Sequence, residues 1–135
     1  MATFNKVNSF VEALAEKVHN LGADTLTVAL TNTAHTSTWT QLSQLTQVSY
    51  TNLSARAITT TSSAQTTGTY KLVLTDLVLT ASGAVGPFQY IYIYNDTATN
   101  DELIGYYDYG SAVTMANGDT FTIDFDASNG VLQLV

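Results

Sequence analysis

The chain has no cysteine, a single proline and only 11% charged residues in a length of 135. Without cysteine there is no disulfide, no thiolate nucleophile and no cysteine-held metal. Four cations, Lys6, Lys17, Arg56 and Lys71, stand against eleven acidic residues, for a formal net charge of −7. Affinity for a phosphate backbone rests on lysine and arginine, so nucleic acid is not an expected partner. The same scarcity argues against an anionic membrane surface. No apolar run approaches the ~20 residues of a membrane-spanning helix. The opening "MATFNKVNSF" lacks a long apolar core, which reads as no signal peptide. Catalytic patterns are missing as well. No serine sits in a Gly-x-Ser-x-Gly elbow, and no glycine-rich loop leads into a helix carrying a lysine.

Threonine, serine, asparagine and glutamine stand where charge is missing, beside 45% hydrophobic residues. Two readings fit this balance. Part of the surface meets another protein, or the chain is a β-protein with threonine as its main surface residue. The length suits one domain, residues 1–135, with a core of its own.

Helical spacing occurs near the start. Phe10, Val11, Leu14, Val18 and Leu21 recur at helical intervals, Ser9 and Glu12 fit a capping box, and Gly22 follows as a stop. This predicts a helix over about residues 5–21, docked through Phe10, Leu14, Val18 and Leu21. His19 falls in its last turn, where the dipole favours a cation, and His35 reads as solvated. The period then becomes two. "TLTVALT" reads as a half-buried strand, "QLSQLTQV" as a short helical turn, and everything from Arg56 onward as β. Asp76 should split the long run "TYKLVLTDLVLTA". Asn117-Gly118 predicts a hairpin between "AVTM" and "TFTIDFD". The fold expected is mainly β, a jelly-roll-like antiparallel sandwich with an N-terminal helix.

Carboxylates offer a weak lead. Asp124 and Asp126 share one side of a strand, and Asp96, Asp101 and Glu102 surround a turn. Neither group has the spacing of a calcium loop, and both read as solvated. No metal, cofactor or catalytic residue is expected.

The aromatics say more. In "PFQYIYIYNDT" large residues occupy both faces of one strand. Ile91 and Ile93 point one way, and Tyr90, Tyr92 and Tyr94 the other. Tyr106, Tyr107 and Tyr109 repeat the theme in "GYYDYG". Such a row serves equally well as a contact between subunits or as internal packing, ahead of ligand stacking. The isoleucines are expected to face the core. The tyrosines are expected to meet a layer that is partly another subunit. The interface candidates are Tyr90, Tyr92, Tyr94, Tyr106, Tyr107, Tyr109 and Trp39.

The opening "MATFNKVNSFVEALAEKVHNLGADTLTVALTNTA" resembles a family of small virion proteins of tailed bacteriophages. So do "VGPFQYIYIYNDT" and "LIGYYDYGSAVTMANGDTFTIDFDASNGVLQL", so that the likeness covers nearly the whole chain. Where the family carries a glycine-rich loop like "GNGYTAGG", this chain has "VSYTNLSAR". The resemblance implies a capsid decoration, or cement, protein made in the host cytoplasm and located on the virion. Its implied partners are the major capsid protein and further copies of itself, a trimer ahead of a dimer. It carries over no catalytic residue. The alternative is a tail or adhesion component that binds a host-surface glycan.

Overall fold

Alternating apolar and polar residues become antiparallel sheet along most of the chain. The computed structural model describes residues 2–135. In chain order the elements are β1 (Phe4–Lys6), α1 (Phe10–Ala15), β2 (Leu26–Thr31), a 3-10 turn (Leu42–Gln44), β3 (Ala57–Ile58), β4 (Thr60–Thr66), β5 (Thr69–Leu74), β6 (Leu77–Thr80), β7 (Val85–Asn95), β8 (Leu103–Met115), β9 (Thr120–Ile123) and β10 (Leu132–Leu134). They form a five-stranded sheet in the order β1-β8-β7-β2-β3, a three-stranded sheet β10-β5-β4 and a pair β6-β9. Every pairing is antiparallel.

The helix is much shorter than its apolar spacing suggests. Residues 4–6 pair with the edge of β8 instead, placing Phe4 opposite Tyr107. A Cβ on Gly105 would run into the Phe4 ring and stand 2.7 Å from the Asn5 carbonyl oxygen, so only glycine admits this edge strand. At the other end α1 closes in a left-handed turn. Lys17 has φ 71, its N–H donates to the Leu14 carbonyl at 3.3 Å, and the Val18 N–H donates to Ala13 at 2.9 Å. These are the paired bonds of a Schellman stop. Of the four docking residues, Phe10 and Leu21 are buried and Leu14 is half-buried, whereas Val18 turns outward. Val18 lies beyond the stop, so helical spacing no longer sets its direction.

The long run of residues 69–81 divides at Thr75 and Asp76, and its halves join different sheets. The Asp76 carboxylate accepts the Phe125 N–H at 2.9 Å. Asp is a poor strand former that recruits backbone donors, which accounts for the break. Asn117-Gly118 does make a turn. Gly118 has φ 90, and Asp119 accepts the Ala116 N–H at 2.8 Å. The hairpin expected there does not form: the end of β8 pairs with β7, and all four residues of β9 pair with β6. A two-residue hairpin closes instead at Thr67 and Gly68, both with positive φ, between β4 and β5. The mirror-image turn needs that geometry at both central residues.

The buried apolar side chains form one cluster drawn from the N-terminal segment and all three sheets. All six residues of β2 are buried, so both faces of that strand are covered.

Candidate functional site

Register decides which tyrosines share a face. Thr31, Ala29 and Thr27 of β2 stand opposite Tyr90, Tyr92 and Tyr94 of β7, and Tyr92 stands opposite Tyr106 of β8. On the other face Leu30 and Val28 oppose Ile91 and Ile93, with Tyr107 beside Ile91. Ile91 and Ile93 lie in the core, as alternation requires.

The tyrosine face is covered by the chain itself. The segment between β2 and β3 lies across it. His35 Nδ1 shares a 2.7 Å hydrogen bond with the Tyr92 hydroxyl. The His35 ring stacks on Tyr106 at 4.3 Å, and Tyr106 stacks on Tyr92 at 5.3 Å. Trp39 meets the His35 ring edge-on at 5.9 Å. Further along, the Tyr50 hydroxyl accepts the Leu30 N–H at 2.9 Å and donates to Gln47 at 2.8 Å. Arg56 lies 3.7 Å over the Tyr50 ring and donates to the Val28 carbonyl. The segment "VSYTNLSAR" is thus held to β2 by Tyr50 and Arg56.

This placement divides the interface candidates. Tyr92 is fully buried, and Tyr94 and Tyr107 nearly so, all within the chain's own core. That corrects the expectation of a partner over them, and the cause is the covering segment together with β9 and its following loop. Tyr90, Tyr106 and Trp39 are half-buried, and Tyr109 is 52% exposed. Burial raises the Tyr92 hydroxyl well above its ordinary pKa, with Tyr106 and Tyr90 adding to it. Burial also lowers His35, which is half-buried and held by Tyr92 and Tyr106 rather than free in solvent. The threonine-rich flanks of His35 gave no hint of this. The only trace in the sequence was the need of a buried tyrosine hydroxyl for a partner.

A second polar cluster escaped sequence reading. His19 is buried beyond the helix, 5.4 Å from the Phe10 ring, and not at a helix end. The Asn95 side-chain amide donates to His19 Nδ1 at 3.0 Å and to Asp24 at 2.7 Å, while its oxygen accepts from Thr97 and Ala98. Since Nδ1 accepts, the neutral ring carries its proton on Nε2. That atom and Glu102 Oε2 are buried without a hydrogen-bond partner. Burial lowers the His19 pKa, against opposing pulls from Glu102 and Asp24. Every polar atom of the Asn95 side chain is occupied, which marks this cluster as a structural pin between the N-terminal segment and the end of β7. Among the described residues neither imidazole is hydrogen-bonded to a serine, and no group of three His, Cys, Asp or Glu side chains converges on a metal position.

The surface outside these clusters carries one apolar flank. β10 is an edge strand, paired only with β5. Exposed Leu134 shares one groove with Val11 and another with Val18, which are also exposed. Two grooves run along this flank, about 440 Å³ beside Phe10 and Leu132 and about 530 Å³ beside Val18 and Tyr70; Leu14 and Leu134 line both. The alternation in "VLQLV" was the available signal for this strand, and its free edge was not. Comparison with family models, curated proteins and solved structures finds no match to this chain.

Proposed function

We propose that this chain is a virion protein of a tailed bacteriophage that decorates the assembled capsid. It binds the major capsid protein as a homo-oligomer, a trimer ahead of a dimer, and stabilises contacts between capsid subunits. In this reading its antiparallel sheets are a jelly-roll-like sandwich. The observation that carries it is the apolar flank. Three of the six large exposed hydrophobics, Val11, Val18 and Leu134, line the grooves beside α1 and the free edge of β10. Contiguous exposed apolar surface marks contact sites, and an unpaired edge offers backbone donors and acceptors to a partner. The sequence resemblance supplies the setting. A protein that binds only the assembled shell stabilises that shell by mass action.

The test is occupancy on purified shells lacking this protein. Wild-type chain should bind in many copies per shell and raise the temperature at which shells break. Val11→Asp combined with Leu134→Asp should abolish binding while leaving the isolated chain within about 1 kcal/mol of wild type, since both sites are exposed. Full occupancy by that variant would remove the flank from the reading. A handful of copies per virion would favour the tail or adhesion role instead.

A further inference from the structure

We propose that the cleft between β8 and β9 binds a neutral pyranose ring. It encloses about 270 Å³ and shares no lining residue with the two grooves of the apolar flank, so the inference stands apart from capsid attachment. Its floor is Ile91 and Ile123, both buried. One wall is the Tyr109 ring, half of it in solvent, propped edge-on against Phe121 at 5.2 Å. An exposed ring held from behind is a platform for the C–H face of a sugar, because ordering it costs little further entropy.

The polar groups match the rest of such a ligand. Tyr107 and Asp124 both line the cleft. Burial, with Asp124 and Asp126 adding to it, pushes the Tyr107 hydroxyl up to about 12, so it remains a donor at neutral pH. The Asp124 carboxylate is exposed at the rim as an acceptor. A donor and an acceptor lining one cleft suit the hydroxyls of a sugar ring, each of which gives and takes a hydrogen bond. Among the described residues no lysine or arginine lines the cleft, so an acidic sugar would meet the Asp124 carboxylate with no cationic side chain beside it. A purely alkyl ligand would leave both polar groups unpaired, which is costly once they are desolvated. A cation would use the carboxylate and the rings but leave the Tyr107 proton without an acceptor.

The experiment is saturation-transfer NMR on the full chain with methyl glycosides of glucose, galactose and mannose, with glucuronate, and with choline. At least one neutral glycoside should bind at millimolar concentration, with saturation strongest on its ring C–H protons. Tyr109→Ala and Asp124→Asn should each weaken that binding about tenfold, or about 1.4 kcal/mol. Both residues are exposed, so both variants fold, and one-dimensional spectra verify this. Tyr107→Phe should weaken it too, and its own fold is checked in the same way. Binding of choline or glucuronate in preference to every neutral glycoside overturns the proposal. So does absence of glycoside binding, or glycoside binding that Tyr109→Ala leaves unchanged.

Discussion

The hydroxyl of Tyr92 shows how one atom joins a loop to a sheet. Tyr92→Phe keeps the stacking on Tyr106 and removes only the bond to His35 Nδ1. The expected loss is about 1 kcal/mol, read as a lower urea midpoint at unchanged slope. Tyr92→Ala should cost about 3–5 kcal/mol, because it also empties a fully buried site. The two imidazoles set a pH response. Burial holds both His19 and His35 below the ordinary value of 6.5. A histidine with a depressed folded-state pKa contributes stability that is complete above 6.5 and is lost as pH falls through the folded value. Urea midpoints should therefore be level at neutral pH and drop on acidification below 6.5, before the bulk of the carboxylates titrate. His35→Gln should flatten part of that drop, which a midpoint series in the wild type and the variant would reveal.

Lys17 limits α1 in a way the apolar periodicity does not show. A residue with a Cβ at φ 71 costs about 1 kcal/mol relative to glycine. Lys17→Gly should raise stability by about 0.5–1 kcal/mol, part of the gain being offset by the freer unfolded chain. Phe10→Ala should lose about 3–5 kcal/mol, and Val18→Ala less than about 0.5, although both were read as docking residues. Thermal unfolding of the three variants separates these outcomes. Period-two patterning located most of the strands, and the break at Asp76 was legible because aspartate resists strand geometry. Partner choice was not legible. The turn at Gly118 was read correctly as a turn, yet the strand after it pairs with β6, a partner that no local pattern names. Likewise Thr67-Gly68 hides a mirror-image turn behind a threonine, the residue that elsewhere in this chain reads as strand. In the aromatic strand, alternation identified which side chains share a face. It left open whether the cover was a partner or residues 32–56 of the same chain, since polar loops carry no period.

At the scale of the molecule, the five-stranded sheet lies beneath a segment with few regular hydrogen bonds of its own, fastened through His35, Trp39, Tyr50 and Arg56. Such segments open at lower free energy than the strands below them. The same arrangement makes the protein its own optical gauge. Trp39 is the sole tryptophan, 6.3 Å from Tyr92 and within the same stack as Tyr106. Light absorbed by those tyrosines is handed to the indole most efficiently while the segment lies flat, and less so as the two move apart. Tyrosine-excited tryptophan emission should then fade at a lower urea concentration than the far-ultraviolet dichroism of the strands. Coincident transitions would show instead that cover and sheet melt as one cooperative unit. Without any attached dye, emission set beside dichroism can tell a lifted cover from an unfolded chain.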